Sequence, residues 1–275
     1  MTSRVARFQK QVRRQGLWSA ARTDIDDVIV RSVDIIFRRQ SRPSLARIGE
    51  AVRRQVIDPG TLLRLVVEQE ISQLGNTTAI SPSRVPSRGP AHYPPSFGME
   101  PNHLLVLQGI IRALRPTQVI ETGVADGKST RVILMALNEL EHGRLTSIDV
   151  SDDVGSDIEP GLRDRWELVV LPKSHRRAHL EQVVRSRSPV DMFIHDSDHA
   201  YRWQAIEYKL ALSVLRPGGV LLSDDVDASF AFIDFVRYAR LEAFTLVGTT
   251  KVMGAVVKPM GGPWPASPLQ TPRMA

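Results

Sequence analysis

From about residue 100 to residue 258 the chain alternates short apolar runs with helical patterns, and this alternation restricts its fold more than any other feature. Strands are predicted over 118–121, 145–150, 166–171, 190–195 and 219–223. Helical segments fall between them at 129–141, 160–165, 176–186 and 203–215, after an opening helix through Leu104, Leu107, Ile110, Ile111 and Leu114 that Pro116 closes. Such a succession builds βαβ units, hence a parallel sheet with right-handed crossovers and helices on both faces. The ending differs. A helix over 227–239 is followed by apolar runs at 244–247 and 252–258 with only a turn between them, which predicts an antiparallel hairpin closing the sheet.

The regions outside this core have another character. Residues 1–80 show helical spacing, as in Ile25, Val28, Ile29, Val33, Ile36 and Phe37. The first 75 residues hold 14 Lys/Arg against 8 Asp/Glu, so the net charge of +6 lies entirely there. That bias fits either a solvated helical face or attraction to an anionic partner. Residues 81–99 are rich in proline, which neither a helix nor a central strand sustains, and read as a linker or lid. Residues 261–275 are Pro-rich and read as a disordered tail. The domain that carries chemistry is therefore residues 100–260. No apolar run reaches the roughly 20 residues of a membrane span. No apolar segment of a secretory signal follows the basic start. The absence of cysteine excludes disulfides and thiolate chemistry, and a cytoplasmic location is expected.

The first chemical signal is the turn after the first strand, Glu121-Thr122-Gly123-Val124-Ala125-Asp126-Gly127-Lys128-Ser129. In doubly wound sheets this loop borders the ligand crevice, where glycines permit close approach and helix-terminal N–H groups point inward. A phosphate-cradling loop needs G-x-x-x-x-G-K-[ST], yet residue 122 is Thr and the spacing is one short. A dinucleotide loop needs G-x-G-x-x-G, and here the spacing is G-x-x-x-G. Glu121 would repel a pyrophosphate but suits the ammonium of a methionine moiety. Asp149, ending the second strand, stands where it can accept hydrogen bonds from both hydroxyls of a ribose. The motif E-x-G-x-x-x-G-x-S resembles the first motif of class I S-adenosylmethionine methyltransferases, whose sheet also ends in an antiparallel hairpin. That resemblance implies a doubly wound, Rossmann-like sheet with an N-terminal helical extension. It assigns S-adenosylmethionine to Glu121, Gly123, Ala125, Gly127, Ser129, Asp149 and Asp196.

The second signal is acidic. The fourth strand runs into His195-Asp196-Ser197-Asp198-His199, and the fifth ends in Asp224-Asp225. If these strands are neighbours, Asp196, Asp224 and Asp225 can converge, and three carboxylates so close cannot all stay ionised without a cation. Oxygen ligands on a partly open site suit a hard ion, Mg²⁺ above all. The plainer alternative is that Asp224 and Asp225 cap the following helix and that Asp198 and His199 occupy an exposed turn. The acids and their spacing resemble metal-dependent O-methyltransferases, particularly the macrocin and mycinamicin sugar O-methyltransferases and their cephalosporin hydroxylase-like relatives, over residues 95–260. The catechol type is more distant. The resemblance implies Asp196, Asp224 and Asp225 as metal ligands and His199 as general base. It also implies a small-molecule hydroxyl acceptor, a sugar or glycosylated natural product, and a homo-oligomer. Two departures are Ser197, where the family often has Gly, and Asp224, where Glu is common. A hydroxylase would need a two-His, one-carboxylate iron site, for which there is no evident sequence.

Two other functions fit the same fold. One is a metal-independent methyltransferase of RNA or of another small molecule, though no RNA-binding module or aromatic-basic interleaving is present and no nucleic-acid partner is expected. The other is a non-catalytic cofactor-binding protein. Tyr93, Tyr201 and Trp203 are candidates for shaping an acceptor pocket, and His195 is predicted to face the helix layer, away from Asp196.

Overall fold

The computed structural model describes Tyr93 and residues 98–260 apart from Thr249. The basic helical segment, most of the Pro-rich segment and the C-terminal tail lie outside the described residues. Helix α1, Pro101–Leu114, starts on a proline in its first turn, where the missing N–H costs nothing, and ends on a left-handed Arg115. Strand β1 is Gln118–Thr122, α2 is Lys128–Glu139 and β2 is Arg144–Asp149. A 3₁₀ turn at Pro160–Arg165 leads into β3, Trp166–Val170. Then come α3, Arg176–Ser186; β4, Val190–His195; α4, Tyr201–Val214; and β5, Leu215–Ser223. Helix α5, Ala231–Ala239, precedes the hairpin β6, Ala243–Val247, and β7, Val252–Val257.

The seven strands order as β3-β2-β1-β4-β5-β7-β6. The first five are parallel, and β7 runs antiparallel to both β5 and β6, so the hairpin closes the sheet as its sequence pattern predicts. The order reverses between β1 and β4. A crevice opens at such a reversal beyond the carboxyl ends of the strands.

Strand alternation divides the core in two. Ile120, Phe193 and Leu221 point to one face, against Leu180, Tyr208, Phe232 and Phe235 of α3, α4 and α5. Their neighbours Val119, Met192, Val220 and Leu222 point to the other, against Leu107, Ile111, Ile133 and Leu137 of α1 and α2. Each such fully buried side chain contributes roughly 1.5–3 kcal/mol. These two layers hold the strand ends in fixed register.

Two boundaries depart from the sequence pattern for identifiable reasons. The helix predicted from residue 227 begins at Ala231, because the Asp227 carboxylate accepts the Val252 N–H (3.0 Å) and Ser229 Oγ accepts the Ala231 N–H (3.0 Å). Strand β5 begins at Leu215, four residues early, with an irregular register between Val190 and Met192 on β4. Among the described residues no helix is long and apolar enough to cross a membrane.

Candidate active site

The ends of β1, β4 and β5 are stitched side by side. Asp196 N–H donates to Thr122 O and Asp224 N–H to His195 O, both at 2.9 Å. Gly123 has φ of 84°, and a Cβ there would stand 2.1 Å from the Asp196 carbonyl oxygen. Only glycine fits that approach. Its close contact is therefore with the end of β4, and it brings the glycine loop and the first acid together. Gly127 (φ 92°) serves the same way against Gly155 and Ile158. A cleft beside the loop is lined by Tyr93, Val124, Ala125, Gly127, Ser129 and Asp196.

Glu121 is fully buried, with its oxygens accepting hydrogen bonds from Ser129 Oγ, Thr130 Oγ1 and Ser147 Oγ, each at 2.7 Å. Burial pushes its pKa up to about 7, against the pull of those hydroxyls. The carboxylate read from sequence as a partner for an ammonium is thus held inside, tying β1 to β2 and to the start of α2. Asp149 Oδ2 accepts the Val124 N–H (2.8 Å), while Oδ1 accepts Val150 N–H (2.6 Å) and Ser151 N–H (3.0 Å). Burial raises its pKa, and these amides oppose the rise. Asp149 therefore organises the glycine loop as well as flanking it.

The acids do not form the symmetrical trio expected from sequence. Asp196, His199 and Asp225 each present a ligand atom, all within 4.8 Å of one another. Asp224 is not one of that group, although Lys251 Nζ bridges it to Asp225. It is fully buried, its Oδ1 is 3.1 Å from His103 Nδ1 on α1, and its Oδ2 accepts from Lys251 Nζ at 3.0 Å. Burial works to raise the Asp224 pKa, but His103 and Lys251 outweigh it and hold the carboxyl below its usual range. Asp225 adopts a left-handed φ of 50°. Neither Asp224 nor Asp225 caps α5.

Asp196 Oδ1 is buried and lacks a hydrogen-bond partner. Burial and the nearby Asp224 charge push its pKa well up. An orphaned carboxylate oxygen beside a second carboxylate and an imidazole is a donor set that fits a hard divalent cation. It also fits the neighbourhood of a cationic sulfonium in the adjoining cleft.

His199 Nε2 lies 3.1 Å from Asp225 Oδ2 and 3.9 Å from Asp196 Oδ1. Burial and the neighbouring His195 lower its pKa to about 4, so the ring is neutral at pH 7. His195 packs into the helix layer as predicted. Its Nδ1 is 2.6 Å from Glu207 Oε2, and Thr122 Oγ1 and Ser197 Oγ also donate to that carboxylate. The His195 ring meets the His199 ring edge-on at 5.5 Å.

Three site residues carry no sequence signal: His103 at the start of α1, Lys251 at the hairpin turn and Glu207 in α4. Two expected pocket aromatics lie elsewhere. Tyr201 donates to Asp234 Oδ2 at 2.9 Å, and both Tyr201 and Trp203 pack on the α3–α5 core. Asp198 accepts the Ala200 N–H (3.1 Å) at the start of α4 and does not orient His199.

A parallel sheet reversing between β1 and β4, a glycine loop on the reversal and a closing hairpin define the class I, Rossmann-like methyltransferase fold. Residues 120–226 match the family model described as a methyltransferase domain. Solved structures of similar fold include an O-methyltransferase from Bacillus cereus in complex with SAH. It is 19% identical over 71% of this chain and 100% of its own, with a TM-score of 0.54. Another is the O-methyltransferase TomG from Streptomyces achromogenes, involved in tomaymycin synthesis and in complex with SAM. It is 17% identical over 71% of this chain and 98% of its own, with a TM-score of 0.52. At these identities the likeness is one of fold. No curated protein matches the chain by sequence.

Proposed function

We propose that this protein is an S-adenosylmethionine-dependent O-methyltransferase acting on a hydroxyl of a small molecule, a sugar or glycosylated natural product, with help from a divalent cation. The observation that carries this reading is the meeting of Asp196, His199 and Asp225 beside the glycine-loop cleft. A cofactor seated there places its methyl-bearing end next to an acidic pocket with a neutral imidazole.

Val124, Ala125, Gly127 and Ser129 bound the cofactor cleft, and Asp149 borders its ribose end. Asp196 and Asp225 would hold the cation, Mg²⁺ by the hardness of their oxygens. Such an ion would supply Lewis acidity toward the acceptor hydroxyl. His199, neutral at pH 7, would take the hydroxyl proton. The acceptor oxygen forms its bond to the methyl carbon as the C–S bond breaks and its electron pair returns to sulfur. A base as weak as His199 does not ionise an ordinary alcohol unaided, which is why the reading couples it to an ion. Glu207 orients His195 behind it, and the two carboxyl-bearing strand ends fix alignment, the main requirement of a displacement at carbon.

The test is methyl transfer from labelled S-adenosylmethionine to a panel of sugars, glycosides and catechols, with Mg²⁺ or with EDTA. Transfer to a hydroxyl in Mg²⁺ and its loss in EDTA are expected. Transfer undiminished in EDTA would remove the ion from the proposal. Cofactor binding without transfer to any hydroxyl would remove the activity.

A further inference from the structure

Lys251 is a side chain of the acidic pocket that the proposed chemistry does not use. It projects from the turn between β6 and β7, and its Nζ bridges two carboxylates, 3.0 Å from Asp224 Oδ2 and 2.8 Å from Asp225 Oδ2. Its residue is only 8% exposed, unusual for a lysine. The turn that carries it is anchored: Gly248 N–H donates to Lys251 O at 2.8 Å, and Thr250 donates to Glu100 through both its N–H and its hydroxyl at 2.6 Å. An ammonium is thereby delivered to the strand ends from the start of β7, the strand beside β5.

The oxygen it takes on Asp225, Oδ2, is the same one that faces His199 Nε2 at 3.1 Å. A hard ion on that oxygen would sit about 2.1 Å from it, and so within about 5 Å of an Nζ left in place. Two cations do not share one carboxylate oxygen at such separation without strong repulsion. The pocket meanwhile offers an unmatched acceptor: the Asp196 side chain is 6% exposed, and its buried Oδ1 has no partner. With Lys251 present, the pocket is charge-compensated at Asp224 and Asp225 yet incomplete at Asp196.

We propose that the Lys251 ammonium and a divalent cation compete for these carboxylates, the ammonium giving way when the cation binds. The ammonium's departure frees Asp224 Oδ2 and Asp225 Oδ2 together, converting a two-carboxylate site into one in which all three acids face the ion. His103 keeps its hold on Asp224 Oδ1 throughout. The hairpin turn, by this reading, sets how tightly the protein binds its metal. The inference rests on the cation site proposed above and concerns what competes for it.

Two measurements test it on the full chain with S-adenosylhomocysteine present. In the first, lysine-directed acylation of the native protein is followed by peptide mass spectrometry, with and without saturating Mn²⁺. Labelling of Lys251 is expected to rise at least fivefold when the ion is added, while other lysines stay constant. In the second, Mn²⁺ is titrated calorimetrically into native protein and Lys251→Met. The variant is expected to bind at least tenfold more tightly and to melt at lower temperature in EDTA, with the loss restored by Mn²⁺. Ion binding that leaves Lys251 labelling unchanged overturns the exchange while sparing the cation site. Absence of Mn²⁺ binding to native protein overturns both. Should Lys251→Met not fold, the labelling measurement on native protein decides alone.

Discussion

The α-carbon of Gly123 is packed so tightly against the backbone of Asp196 that an added methyl group would overlap its carbonyl, 2.1 Å from the oxygen and 2.6 Å from the carbon. This contact joins the two sequence signals, the glycine loop and the first acid, into a single site. Gly123→Ala is therefore expected to destabilise the protein by more than about 2 kcal/mol, since a left-handed φ costs an alanine 1–2 kcal/mol before any clash is counted. Denaturant unfolding measures this. Wild-type stability in the variant would refute the contact.

His199→Gln is expected to lower kcat by roughly 10²–10⁴-fold, the range of a lost general base. The ring does not line the cofactor cleft, so S-adenosylhomocysteine affinity should stay within about twofold by calorimetry. A comparable loss of affinity would assign His199 to the cofactor instead.

The pH profile follows from the sign of the His199 shift. A base works in its neutral form, and a pKa lowered to about 4 keeps that form populated well below the ordinary imidazole value of 6.5. The acid limb of kcat/KM should fall between about pH 4 and 5, with a plateau from about pH 6 upward. An acid limb centred near 6.5 would show an unshifted ring.

Glu121 makes a stability prediction. Its native pKa of about 7 exceeds the ordinary 4.5, so its favourable share is complete below pH 4.5 and fades as pH rises to 7. In that window the unfolded chain releases the proton and the native protein retains it. Glu121→Gln, which cannot ionise, should gain up to about 3 kcal/mol on wild type between pH 4.5 and 7.5. A constant difference across that range contradicts the buried, protonated state.

The consecutive acids of β5 separate by position. Asp224→Asn leaves Lys251 and His103 facing a neutral group in a fully buried pocket, and a loss of about 3 kcal/mol or more in stability is expected. Asp225→Asn, at a side chain 18% exposed, should cost less than about 1 kcal/mol and weaken Mg²⁺ binding at least tenfold. The reverse pattern, seen in thermal melts and calorimetry, would exchange their roles.

Much of this architecture was readable from spacing. Strand and helix alternation, the hairpin after α5, the glycine loop and the acids at two strand ends are all local patterns, and a period of 2 or 3.6 residues records which face a side chain will bury. Even the inward turn of His195 follows from its parity with Asp196 on one strand. Contacts across the sheet leave no such record. Lys251 reaches Asp224 and Asp225 from 26 or more positions away, and His103 reaches Asp224 from 121. Whether Glu121 faces a ligand or three hydroxyls depends on how α2 and β2 settle around it. Sequence alone determined the layers, the sheet and the location of the reactive edge, because those depend on periodicity and turn chemistry. Only the tertiary structure decided which acids come together and which internal cations hold them, because that depends on charges brought together from distant parts of the chain.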